Sequence, residues 1–204
     1  MAAQRNTPQG IERRVFNTHI EVRSASEDGS IPMVGHAALF DTRAEIVPGF
    51  FEVIARGAFT TAIGRDDVRM LINHDSNLIL ARTSAGTLRL SEDETGLATD
   101  ADMAPTSYGK DLAISMERGD ISQMSFAFQA EVEDWQDLPD GSWLRTVRQA
   151  KLYDVSPVTY PAYDGTDAAL RSAAMFNERV QEMRDAQRVH SLDVRQRRLR
   201  LRSK

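Results

Sequence analysis

Apolar and polar positions alternate in short runs along most of this chain, and Gly, Pro, Asp and Asn bound the runs. Val68-Arg69-Met70-Leu71-Ile72 and Leu88-Arg89-Leu90 carry the two-residue period of half-buried strands. Runs of this kind predict strands at His19 to Val22, Met33 to Phe40, Val68 to Ile72, Thr87 to Leu90, Leu97 to Ala101 and Met124 to Val132. A last one runs from Trp143 to Val147 and leads on to Leu152–Val155. Asp140-Gly141, between Val132 and Trp143, suits a hairpin turn, because Gly accepts positive φ without a steric penalty. The domain is therefore β-rich.

Helical spacing interrupts the strands twice. Gly57 to Gly64 puts Phe59 and Ile63 four apart on one face, and Ser107 to Arg118 repeats the pattern with Tyr108, Leu112 and Met116. Ser107 is the candidate N-cap of the second helix, and Gly119 stands where a left-handed C-terminal residue belongs. From about Asp167 onward, Ala168, Leu170, Met175, Phe176, Val180 and Met183 lie among charged residues with no Gly or Pro, which predicts a long helix with a weak apolar stripe. Residues 1–15 are polar and without period. The organisation this gives is a flexible N-terminal segment at 1–15, one domain at 16–166 and a helical basic tail at 167–204.

A chain of 204 residues, 41% apolar and 27% charged, is long enough for one substantial core. No apolar run is long enough to span a bilayer, and Met1 to Gly10 lacks the apolar stretch of a signal peptide, so an intracellular protein is expected. With no cysteine, disulfides, thiol catalysis and thiolate zinc sites are excluded. His19, His36, His74 and His190 are far apart, which disfavours a zinc site. Net charge is −5, yet Arg171 to Lys204 holds ten basic and four acidic residues, a balance of +6 that leaves −11 for residues 1–170. The arginine-rich end, Arg195 to Arg202, could attract nucleic acid or an acidic protein surface, or be a solvated helix end.

A serine hydroxyl is a poor nucleophile until an imidazole lies within hydrogen-bond reach and a third group fixes that imidazole. Fifteen serines are present, and neither composition nor period selects Ser125 over Ser107, Ser122 or Ser156. Ser107-Tyr108-Gly109-Lys110 has the Ser-x-x-Lys spacing of Ser-Lys hydrolases, but four-residue matches are common by chance and Ser107 already has a capping role. Asp75 adjoins His74 in sequence. Successive strand residues point to opposite faces, so it is a poor partner for the imidazole.

Several short sequences, in order, narrow the field. They are Pro48-Gly49-Phe50, Arg56-Gly57-Ala58-Phe59, Asn73-His74-Asp75, Gln123-Met124-Ser125-Phe126-Ala127-Phe128 and Leu152-Tyr153-Asp154-Val155-Ser156 running on to Val158-Thr159-Tyr160-Pro161-Ala162. From roughly Gly35 to Arg171 the chain resembles the prohead serine proteases of tailed double-stranded-DNA phages, which are related to the herpesvirus assemblins. It departs from them at Ala127, where many members have Gly, and at Asp154, where Glu is also used.

The resemblance implies a β-rich α+β fold, a mostly antiparallel β-barrel of the assemblin type flanked by helices. It implies Ser125 as nucleophile, His74 as base and Asp154 as the orienting acid, with no cofactor and no metal. The implied substrates are the scaffolding segment of the major capsid protein, any separate scaffold and the protease itself. The implied setting is the interior of the prohead in the bacterial host, with self-association possible and no membrane. The alternative is a catalytically inactive capsid-assembly or scaffold-like protein that binds shell subunits.

Overall fold

The computed structural model describes residues 10–27, 29–160 and, beyond them, 174, 176–178, 180–182, 184 and 185. Eleven strands, two α-helices and a short 3-10 helix at Thr83–Ala85 are defined between residues 10 and 160. The strands and α-helices are β1 (Glu12–Asn17), β2 (Glu21–Val22), β3 (Ile31–Leu39), β4 (Ala44–Val47), β5 (Phe50–Ile54), α1 (Thr60–Arg65), β6 (Arg69–Ile72), β7 (Asp75–Arg82), β8 (Leu88–Glu92), β9 (Gly96–Met103), α2 (Ser107–Glu117), β10 (Gln123–Asp137) and β11 (Trp143–Val158).

Two sheets result. The larger runs β1-β10-β11-β5-β4, with β6 joined to β11 and β7 to β6; the smaller runs β2-β3-β9-β8. Most pairings are antiparallel, but β11 takes two parallel partners on one edge: β5 along Trp143–Val147 and β6 at Asp154–Val155. This shared edge is why the expected barrel is not seen. The larger sheet branches at β11, and the ladders of the two sheets do not close into a ring.

The core lies between the sheets, where β1 and β10 pack over β3. Phe126 is its centre, stacked on Phe128 at 4.8 Å, meeting the edge of Phe59 at 5.4 Å and lying 6.2 Å from Phe16. Full burial of each such ring contributes about 1.5–3 kcal/mol. Helix α2 is capped one residue earlier than expected from sequence: Thr106 Oγ1, not Ser107, accepts the Gly109 N–H. Gly119 ends it at φ +80° and delivers the chain to β10.

The first strand starts inside the segment read as flexible. Glu12 and Arg14 look like surface residues in the sequence, but both are buried in an ion cluster that closes one end of the core. Arg14 donates to both carboxylate oxygens of Glu52, at 2.6 and 2.9 Å, and to Glu12 at 2.7 Å. Arg145 donates to both oxygens of Glu12, at 2.7 and 2.8 Å, to Glu52 at 3.0 Å and to Glu133 at 2.6 Å. Burial alone would raise the Glu12 carboxyl, but hydrogen bonds and charge from Arg145 and Arg14 outweigh it and hold it below the ordinary range. The cluster joins β1, β5, β10 and β11.

Strand β7 escaped sequence reading because it opens on Asp75-Ser76-Asn77, a poor strand former. The β4–β5 hairpin turns at Gly49, where φ is +78°. Beyond the main body, the described residues of the expected tail helix are helical. Phe176 stacks on Phe50 at 4.7 Å and Val180 is buried. The rest of the expected tail, including its arginine-rich end, lies outside the described residues.

Breaking a buried ion pair by removing one partner leaves an uncompensated charge, so Glu12→Gln is expected to cost about 3 kcal/mol in chemical denaturation. Because the Glu12 carboxyl sits below its ordinary 4.5, its contribution is complete above that pH and is lost as pH falls through the lowered value. Wild-type stability should therefore decline on acidification below about pH 4.5, and the decline should be shallower in Glu12→Gln.

Candidate active site

Ser125 occupies an interior strand, with Val15 of β1 opposite it on one side and Ser156 of β11 on the other. Its neighbours Met124 and Phe126 point into the core, so alternation sends Ser125 to the opposite face. On that face β11 presents Asp154 and Ser156, two residues apart, and Ala127 of β10 stands opposite Asp154. A register slip of one residue would exchange this polar row for the core row.

His74 arrives from the turn between β6 and β7. Ile72 pairs with Asp75, leaving Asn73 and His74 as a two-residue hairpin connection with φ of 51° and 57°. Two consecutive positive φ values are what a type I′ turn requires, and Asn and His tolerate them better than most side chains. The turn is tied to the end of β11. Asn73 N–H donates to Pro157 O at 3.1 Å, Asn73 Nδ2 donates to Thr159 Oγ1 at 3.1 Å, and Thr159 N–H donates back to Asn73 Oδ1 at 2.9 Å.

The imidazole thereby lies between the two strands. Its Nε2 is 2.6 Å from Ser125 Oγ and its Nδ1 is 2.5 Å from Asp154 Oδ1. A carboxylate accepts and does not donate, so Nδ1 carries the proton and Nε2 is left to accept from the serine hydroxyl. Ser125 is wholly buried and the His74 side chain is only 8% exposed. A substrate carbonyl can reach the hydroxyl only after neighbouring atoms shift.

β11 is anchored beside the site by Asp66, whose Oδ2 accepts the Leu152 N–H at 2.8 Å. Burial would raise the Asp66 carboxyl, but the hydrogen bonds from Arg65 and Leu152 outweigh it and hold the group below its ordinary value.

The structure thus brings His74, Ser125 and Asp154 together in hydrogen-bond contact. It does not bring in Asp75, whose Oδ1 accepts from Asn77 N–H at 2.9 Å. Ser107 and Lys110 are both exposed on α2. Sequence reading did not single out Ser156 or Asn73 as neighbours of the imidazole. Strand parity was the available signal for Ser156, since it shares a face with Asp154. Among the described residues, no group of His, Asp and Glu is placed to hold a metal ion, and no helix is long and apolar enough to cross a membrane.

A hydroxyl, an imidazole and a carboxylate in line is the arrangement serine peptidases use, on a β-rich body with few helices. The family profile described as Caudovirus prohead serine protease matches residues 18–183, and the chain belongs to that family. Among solved structures, the chain is similar to that described as the bacteriophage T4 capsid assembly protease, gp21. The TM-score is 0.50 at 10% identity, over 74% of this chain and 98% of that one, a likeness of fold. No curated protein matches the chain.

Ala127 is 1% exposed, so there is no room for a larger side chain beside Asp154. Ala127→Leu is expected to lose peptidase activity and to cost about 1–3 kcal/mol through overpacking. Ala127→Gly should stay active. Thermal melts and cleavage assays on the two variants check this.

Proposed function

We propose that this protein is the maturation protease of a phage head, a serine endopeptidase in which Ser125 is the nucleophile, His74 the general base and Asp154 the group that orients it. The observation that carries this reading is the continuous hydrogen-bonded path from Ser125 Oγ through His74 to Asp154 Oδ1, in a chain of the prohead serine protease family. Ser125 Oγ attacks the scissile carbonyl carbon while His74 Nε2 takes its proton, and the tetrahedral intermediate collapses as His74 returns that proton to the leaving amine. Water then enters by the same route, the acyl bond to Ser125 breaks, and the hydroxyl is restored. Asp154 holds the Nδ1–H tautomer and stabilises the imidazolium that forms in each step.

The proposed substrates are the scaffolding segment of the major capsid protein, any separate scaffold and this chain itself, cut inside the assembled prohead. In this reading residues 16–166 are the protease domain and residues 167–204 a basic tail through which the enzyme is held until it cuts itself free. Polar segments near chain termini are common sites of proteolysis.

Co-expression with the major capsid protein tests the reading. Ser125→Ala and His74→Ala are each expected to reduce trimming by at least about 10³-fold with the fold retained, since triad members act as a unit. Trimming at the wild-type rate by Ser125→Ala would refute the assignment. A second measurement concerns the tail. Intact-mass spectrometry of the wild type expressed alone should show loss from the C-terminal side after Asp167, while Ser125→Ala stays full length. Identical truncation of both proteins would assign the cut to host proteases.

A further inference from the structure

The proposed base sits in a turn that costs energy to hold. Left-handed φ at two consecutive non-glycine residues is disfavoured by about 1–3 kcal/mol each, and such a turn keeps one conformation only where its surroundings over-determine it. Those surroundings are concentrated at the end of β11, and one side chain there touches both halves of the His74–Asp154 pair. Ser156 is wholly buried. Its Oγ donates to Asp154 Oδ1 at 3.0 Å, accepts the backbone N–H of His74 at 3.3 Å and lies 3.4 Å from His74 Nδ1.

The first two of these contacts use different capacities of one hydroxyl. Its single proton goes to the carboxylate and a lone pair takes the turn amide. Ser156 Oγ fixes Asp154 Oδ1 from the β11 side, and the same hydroxyl oxygen fixes the His74 backbone N–H. The separation between carboxylate and imidazole is then set by the hydroxyl rather than by two independent side-chain torsions. Asn73 adds the second anchor through Thr159 and Pro157. The register supports this use of a buried serine, because Ser156 stands directly across from Ser125 and so lies at the level where the imidazole must sit.

We propose that Ser156 is a positioning residue for the His74–Asp154 pair, with Asn73 as its companion on the turn. This rests on the reading of His74, Ser125 and Asp154 given above. Ser156 touches no reacting atom; it acts by keeping the Nδ1–H of His74 directed at Asp154. Losing that direction misplaces the base by a fraction of an ångström to an ångström, a displacement that can cost up to about 10²-fold in rate. Binding of substrate, which Ser156 does not contact, is left as it was.

Two readouts on the full-length protein test this. The first is NMR of ¹⁵N-histidine-labelled protein in the Ser125→Ala background, which keeps the chain intact, observing the Nδ1-bound proton of His74. The parent should give a slowly exchanging, downfield Nδ1–H signal, Ser156→Ala should lose it, and Ser156→Thr, which keeps the hydroxyl, should retain it. The second readout is cleavage of the major capsid protein by variants with Ser125 intact. Ser156→Ala and Asn73→Gly, the latter keeping the left-handed turn without its side-chain anchor, should each lower kcat by about tenfold or more with KM unchanged. Melting midpoints within a few degrees of the parent separate this from unfolding.

Absence of the signal in the parent would overturn the role of Asp154 and this proposal with it. Its persistence in Ser156→Ala, together with parental kcat, would overturn the proposal alone. Loss of the signal in Ser156→Thr at an unchanged melting midpoint would also overturn it, since the hydroxyl would then not be the operative group.

Discussion

The register of β10 against β11 is the constraint on which this structure depends. Two strands of 15 and 16 residues run antiparallel, and their pairing places Ser125 beside Ser156 and Ala127 beside Asp154. The same pairing turns Phe126 and Val155 toward the core. Core packing and site geometry are therefore specified together. A slip by one residue would turn the polar row in among aromatic rings and drive Phe126 into the space of Ser125, costing several kcal/mol in overpacking and in unsatisfied polar groups. The rigidity a nucleophile requires is in this way inherited from the packing of its immediate neighbours in sequence.

The two ends of that hairpin carry different burdens. At the Ser125 end, a strained turn brings in an imidazole and is held by hydrogen bonds that tie Asn73 to Pro157 and Thr159 and the His74 N–H to Ser156. Near the opposite end, Arg145 reaches across to Glu12, Glu52 and Glu133, and Trp135 stacks on Phe50 at 5.3 Å. Buried ion clusters add little net stability compared with an apolar core, but they penalise wrong pairings because any mispaired charge is left alone in a low-dielectric interior. The Glu12, Arg14, Glu52 and Arg145 set is placed where such a penalty acts on register: β1, β5 and β11 must be aligned before all four groups are matched.

Much of the scaffold was legible because it follows local rules. The spacing of Tyr108, Leu112 and Met116 and the terminator at Gly119 define α2, and alternation defines β3, β8, β9 and β10. What was not legible depends on tertiary partners. Glu12 and Arg14 read as solvated charges until the other members of their cluster are in place. β7 is too polar at its start to announce a strand, and β11 runs unbroken through Gln149 because Val132 of β10 stays paired with it on one edge, while Ala58 O and Asp66 Oδ2 accept the Ala150 and Leu152 N–H groups on the other. The assemblin-like barrel was carried over from resemblance, and the branching of the sheet at β11 could not be read from any single segment. At the site, Asp75 stays outside the constellation, but strand parity is not the reason, because His74 stands in a left-handed turn between β6 and β7 and not in a strand; only the resemblance separated Ser125 from the other serines. Ser156 entered only as a rival nucleophile, although strand parity within β11 already puts it on the face of Asp154.

Covalent labelling measures most directly whether this constellation is a working nucleophile. A fluorophosphonate reacts when an activated serine oxygen attacks phosphorus and fluoride leaves, and peptide mapping by mass spectrometry locates the adduct. Ser125 alone should carry it, and His74→Ala should leave the reagent unreacted. An adduct at Ser107 or any other serine, or equal labelling of Ser125 without His74, would contradict the triad.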